Sequence, residues 1–165
     1  MKKITFIRHA KSSWDVSNVH DFDRSLSDRG IKDAKLMGKI IMNENIKFEK
    51  IISSPANRAI NTAKIISSEI NYPINEIEIN DEIYNSNTFN IFSIIKKIDS
   101  DQFNHIALVG HNPTFHSLIE IIANHNLLKL PTCAIVTIVL KVKKYSDIKE
   151  GIGIIDKIRF PKNFK

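Results

Sequence analysis

The sequence predicts an α/β fold, a three-layer sandwich with a mostly parallel central sheet flanked by helices. Two observations predict it. Short apolar runs (ITFI, EKIIS, HIALV) alternate with segments of helical periodicity, and the β-branched run CAIVTIVLKV is nearly continuous, as in a strand covered on both faces. No fixed-period repeat and no low-complexity linker interrupt the chain, so residues 1–165 are expected to form a single domain with room for a proper core.

Residues 4–7 read as the first strand and the polar stretch 14–25 as a loop. A helix follows with Ser27 as N-cap, because Ile31, Ala34, Met37, Gly38 and Ile41 recur at helical spacing. Residues 49–53 form a second strand, then a helix over 55–70 with Ser54 as N-cap and Pro55 at its first position. Residues 76–79 are extended, 89–98 a helix, 105–109 a strand, and 113–123 a helix capped by Asn112. CAIVTIVLKV is read as a central strand and GIGIIDKIRF as an edge strand. Phe89, Phe92 and Phe103 are assigned to the core, and Asp23 and Arg24 to a pair bracing the loop after the first strand. Trp14 is placed as loop packing or rim, and His20, His105, His116 and His125 as structural or solvated.

The 24 basic against 18 acidic side chains give a net charge of +6. An anionic partner is one reading and lysine-rich solvated faces the other. The lysines are scattered without aromatic interleaving, so no nucleic-acid partner is expected. No stretch approaches the roughly 20 apolar residues of a membrane span, and Lys2-Lys3 open no leader, so a cytoplasmic protein without a membrane partner is expected. The lone Cys133 offers neither a disulfide framework nor a thiolate metal site.

In a parallel sheet the ligand site lies beyond the carboxyl ends of the strands. Three such ends carry cations or groups that become cationic. ITFI runs into Arg8-His9, EKIIS leads to Arg58 in the first turn of a helix, and HIALVG delivers His111. Each has an ordinary reading alone, as a strand end, a surface arginine or a core histidine. Together at equivalent junctions they converge on one site. Two arginine forks match phosphate oxygens, helix N-termini favour anions, Ser12 adds a hydroxyl and Lys11 a nearby charge. Two histidines add chemistry: one imidazole can attack phosphorus and carry it covalently, and the other can donate to an oxygen gaining charge. No metal and no cofactor are expected, since paired carboxylates at ligand spacing are missing and His111 and His116 are not at same-face spacing.

RHAKSSW, DFDRSLSDRGIKDA, SSPANRAINTA and VGHNP, in that order, resemble the histidine phosphatase superfamily, with its phosphoglycerate-mutase-like fold. RHA followed by KSSW, with GHNP later, is similar to the small bacterial phosphohistidine phosphatases within it. The resemblance implies that His9 is the nucleophile and that Arg8, Arg58 and His111 hold the phosphoryl group, with Ser12 as a hydroxyl contact. It also implies an acidic proton donor from the middle of the chain, for which Glu82 in NDEIYNS is the nearest match.

An alkoxide needs a proton to leave, whereas imidazole leaves readily near neutrality, so a pocket with a poor match for the acid suits phosphohistidine. Residues 80–86 leave little material for a lid, and an open pocket admits a side chain presented by a partner protein. The expected substrate is therefore a phosphorylated protein, such as a phosphorelay or phosphotransfer protein, with inorganic phosphate as product. A phosphomonoesterase acting on small phosphate esters and a non-catalytic phosphate-binding module remain as alternatives. A mutase would need residues that retain and reorient a second phosphate-bearing substrate.

Overall fold

The computed structural model describes residues 1–14 and 18–165, so the middle of the polar loop expected over 14–25 lies outside the described residues. Six strands form one sheet: β1 (Lys2–Arg8), β2 (Lys50–Ser53), β3 (Glu78–Ile79), β4 (His105–Gly110), β5 (Ile135–Leu140) and β6 (Gly153–Arg159). Their order is β3-β2-β4-β1-β5-β6. β1 to β4 are mutually parallel, β5 is antiparallel to β1, and β6 is antiparallel to β5. The sheet is thus mostly parallel, with CAIVTIVLKV inside it and GIGIIDKIRF at its edge.

Alternation along the strands creates the three layers. In β1, Ile4 and Phe6 face one cluster and Ile7 the other; in β4, Ile106 and Leu108 oppose Ala107 and Val109 in the same way. The first cluster is covered by α3 (Thr88–Lys96) and α4 (Thr114–Ala123), the second by α1 (Asp28–Asn43) and α2 (Asn57–Glu69). Polar groups buried in the sheet are paired. Thr5 and Thr137 stand opposite in register with hydroxyls 2.9 Å apart, and Thr5 also meets His105 Nε2 at 2.8 Å. A one-residue slip would break both, so this seam specifies register as well as satisfying polar atoms.

The reversed strand follows from the return path. After α4, residues 124–134 climb back to the carboxyl ends of the parallel strands, where Leu130 O accepts from Arg8 Nη1 and Asn112 Nδ2, both at 2.9 Å. The chain therefore enters β5 beside Arg8, whose N–H reaches Ala134 O, and can only run down the sheet.

Ser27 caps α1 as expected, accepting from Gly30 N at 3.1 Å. The other two caps differ. α2 starts at Asn57 and α4 at Thr114, so neither Ser54 nor Asn112 is the N-cap; Ser54 Oγ takes the Ala56 N–H and meets His111, and Asn112 Nδ2 donates to Leu130 O. Phe92 and Phe103 pack against the core, but Phe89, in the first turn of α3, is 77% exposed. Arg24 pairs with Asp21 at 3.2 Å rather than with Asp23, being one helical turn from the former. No helix of the described residues is long and apolar enough to cross a membrane.

Candidate active site

The ends of β1, β2 and β4 meet as the sheet rule requires, and they bring Arg8, His9, Arg58 and His111 together. The His9 backbone is held from both sides: its N–H donates to Gly110 O at 2.9 Å and its carbonyl accepts from Cys133 N at 3.0 Å. Thr62 locks α2 onto the same turn, accepting from Ala10 N and donating to Arg58 O. The His9 ring is buried, with Nδ1 2.7 Å from Ala10 O. A carbonyl oxygen only accepts, so Nδ1 carries the proton and Nε2 keeps its lone pair. Arg58 Nε, 3.4 Å away, donates towards that lone pair.

Asp21 holds the outer side of Arg58, taking Nη1 on its carbonyl and Nη2 on its carboxylate. The same carboxylate accepts from Tyr84 OH at 2.7 Å and pairs with Arg24, whose guanidinium lies 3.6 Å from the centre of the exposed Trp14 ring. His111 faces His9 with ring centres 5.2 Å apart, touches the Tyr84 ring at 5.6 Å, and meets Ser54 Oγ through Nε2 at 2.8 Å.

Burial, then the Arg58 and Arg8 charges, outweigh the Ala10 contact and push His9 down to about 4. Burial, then His9 and Arg58, push His111 down to about 3. Both rings are therefore neutral at neutral pH. Partial burial raises Asp21, but hydrogen bonds from Tyr84 and Arg58 prevail and hold it below its ordinary value as a carboxylate. Around the pair, Arg8 Nε, Arg24 Nε and Nη1, and His111 Nδ1 are buried without hydrogen-bond partners. Asn112 Oδ1 is an unpartnered buried acceptor beside them, but these nitrogens outnumber it, and a tetrahedral oxyanion supplies several acceptors at once. A cavity of about 450 Å³ opens alongside, lined by Asp21, Arg58, Tyr84, Ser86, His111 and Asn112 among others.

Ser12, three residues after His9, is buried with its backbone bridged to Leu26. Glu82 is not brought to the pair. It is exposed in the turn Asp81–Ile83, where Ile83 takes the buried position, and it lines a different cleft with Lys50, Glu78, Asn80 and Lys97. Sequence reasoning missed Asp21, Tyr84 and the contact of Ser54 with His111. Tyr84 lies two residues from Glu82 in the same NDEIYNS segment, and Asp21 opens the DFDR stretch.

A strand-end site built on two facing histidines and two arginines defines a class, and sequence comparison agrees. The sequence model of the histidine phosphatase superfamily (branch 1) matches residues 4–88, and the chain belongs to that family. The 2,3-bisphosphoglycerate-dependent phosphoglycerate mutase of Lactobacillus acidophilus is 36% identical over 64 residues, 38% of this chain and 28% of that protein. The Porphyromonas gingivalis mutase is 38% identical over 64 residues, 38% of this chain and 26% of its own length. The match thus spans only about a quarter of these relatives. Among solved structures, the protein histidine phosphatase SixA complexed with tungstate aligns with a TM-score of 0.85 at 19% identity, covering 99% of each chain. A phosphoserine phosphatase of Entamoeba histolytica aligns at 0.65 with 15% identity over 100% of each chain. At these identities the structural likeness carries the fold, which is that of the histidine phosphatases.

Proposed function

We propose that this chain is a metal-independent phosphatase that works through a phosphohistidine on His9 and acts on phosphohistidine presented by a protein. The observation that carries this reading is the neutral His9 ring, with its proton on Nδ1 towards Ala10 O and its Nε2 lone pair beside Arg58. Nε2 attacks phosphorus. The bond from phosphorus to the substrate imidazole breaks, and its electron pair returns to that nitrogen. The substrate ring, protonated at its other nitrogen, leaves as neutral imidazole. Arg8, Arg58 and His111 take the oxygens as charge develops. Water then attacks phosphorus, the P–Nε2 electron pair returns to His9, and the water proton passes to phosphate or solvent.

No step in that sequence needs a carboxylic acid. This fits the site, where Glu82 opens elsewhere and Asp21 is kept ionised by Arg58, Arg24 and Tyr84. An alkyl ester would need such a proton. The likeness to SixA, a protein histidine phosphatase, points the same way. The cavity of about 450 Å³ beside His111 also has room for a small phosphate ester.

Phosphate release from an N-phosphohistidine peptide and from an aryl phosphate, compared between wild type and His9→Ala, tests the proposal. Turnover of the peptide in preference to the ester, lost without His9, is the expected result. Turnover that survives His9→Ala excludes the covalent route, and preference for the ester reassigns the substrate.

A further inference from the structure

We propose that Ser54 is a positioning residue that sets the tautomer of His111. Its hydroxyl donates to Nε2, so the ring proton sits on Nδ1, where an oxyanion can accept it. The assignment rests on the reading that the histidine pair handles a phosphoryl group, and it concerns how the second histidine is prepared for that.

Ser54 follows directly on β2, and its N–H donates to Val109 O at 2.9 Å, so the sheet fixes the root of its side chain. The residue is fully buried. A serine hydroxyl has one proton and two acceptor positions. One acceptor position takes the Ala56 N–H at 3.2 Å. The remaining contact is His111 Nε2 at 2.8 Å.

Two arrangements of that contact are possible. If Nε2 held the ring proton, Ser54 would accept twice, and its own proton would meet no acceptor among the described residues. Nδ1 would then present a bare lone pair among buried cations, where it would repel an incoming anion. If Ser54 donates, both its proton and the Nε2 lone pair are satisfied. The one group then left over is an Nδ1–H, and Nδ1 is the His111 atom that is buried without a partner. Buried hydroxyls strongly avoid the first outcome.

The two facing rings thereby become complementary while both stay neutral. His9 is held with its proton on Nδ1 and a lone pair on Nε2, by a carbonyl. His111 is held with its lone pair on Nε2 engaged and an Nδ1 proton to give, by a hydroxyl. One ring can attack phosphorus and the other can only donate, which separates their roles without a difference in charge.

The direct test is a long-range 1H–15N correlation spectrum of the wild-type protein, with the His111 signals identified by their loss in His111→Asn. The expected result is a protonated Nδ1 and an unprotonated Nε2. In Ser54→Ala the tautomer should move towards Nε2–H, tungstate affinity should fall about tenfold, and the His9 signature should stay unchanged. Ser54→Thr, which restores a hydroxyl, should recover both properties. A wild-type His111 protonated at Nε2 overturns the proposal, as does a folded Ser54→Ala protein that keeps both tautomer and affinity. If Ser54→Ala fails to fold, the wild-type spectrum alone decides. A wild type with the expected tautomer but no phosphate release would sink the catalytic reading and leave this assignment standing.

Discussion

Asp21 grips Arg58 at two points, its carbonyl taking Nη1 at 2.6 Å and its carboxylate Nη2 at 2.9 Å, which leaves Nε directed at His9. An arginine fork bound this way loses most of its freedom to turn, so the geometry of the His9 lone pair depends on a residue that need not touch the substrate. Arg24 and Tyr84 also bind the carboxylate, Arg24 at Oδ1 and Tyr84 at Oδ2. The carboxylate is therefore spent on orientation and is a poor candidate for proton transfer.

Asp21→Asn should lower kcat/KM by about tenfold or more, since a charge-assisted bond becomes a neutral one and Arg58 gains freedom. Thermal stability should change little, because half of the Asp21 side chain is exposed and exposed ion pairs contribute little. Tyr84→Phe should cost less, since its ring contacts with Phe22 and His111 remain. The double variant should be no worse than Asp21→Asn, because Tyr84 acts through the same carboxylate. Steady-state kinetics of the four proteins decide it, and an unimpaired Asp21→Asn rules the clamp out.

Three histidines sit well below their ordinary value near 6.5: His9 and His105 at about 4 and His111 at about 3, each chiefly because burial disfavours its charged form. The unfolded chain binds their protons first as pH falls. Their stabilising contribution is therefore complete above about 6.5 and is lost progressively from there down to about 4 for His9 and His105 and about 3 for His111. Each histidine adds a slope of up to about 1.4 kcal/mol per pH unit in that window. Urea denaturation at pH 7.5, 6 and 5 should show a falling midpoint. His105→Gln, distant from the site, should flatten the curve by one proton. A midpoint that stays level from pH 7.5 to 5 contradicts the burial argument.

The same depression predicts proton coupling to anion binding. A tetrahedral dianion placed between the rings favours their charged forms and raises both values from about 4 and about 3. At a pH just above the free values, binding must then take up protons. Calorimetric titration of tungstate at pH 5 in two buffers of different ionisation enthalpy measures the number directly. Uptake above zero is expected. Release would mean that the anion binds away from the histidines.

The strand ends that build the site were legible because each is an apolar run stopped by a charged or titratable residue, a pattern local in sequence. Arg8, His9, Arg58 and His111 could therefore be named together. Asp21 could not, because its bond to Arg58, made alongside the local pair with Arg24, is a long-range contact between a polar loop and α2. Ser54 shows a related limit. Its sequence context favours a helix cap, and its contact with a histidine 57 residues away leaves no local signal. Glu82 marks the limit of segment-level reasoning: NDEIYNS does border the site, but the turn sends Tyr84 to it and Glu82 to another cleft. The direction of β5 was likewise unreadable, since it is set by where residues 124–134 finish rather than by the strand's own residues.

Gly30 ties the helical layer to the turn that carries the nucleophile. It lies in the first turn of α1, where its N–H takes the Ser27 cap, and a Cβ at this position would stand 2.1 Å from the carbonyl oxygen of Lys11. That oxygen is itself held by Ser27 N and Ser27 Oγ at 2.9 and 3.1 Å, so it has little room to retreat. In Gly30→Ala the gain in helix propensity, roughly 1 kcal/mol, opposes a backbone clash that must be relieved by moving either α1 or the segment from Ala10 to Ser12. The clash should win. Net destabilisation of about 1–3 kcal/mol is expected, together with reduced turnover, because Ala10 O sets the His9 tautomer and lies next to the displaced carbonyl. Denaturation and kcat/KM measured on the same preparation test both halves. Lost stability with full activity would show that the helix yields and the turn does not.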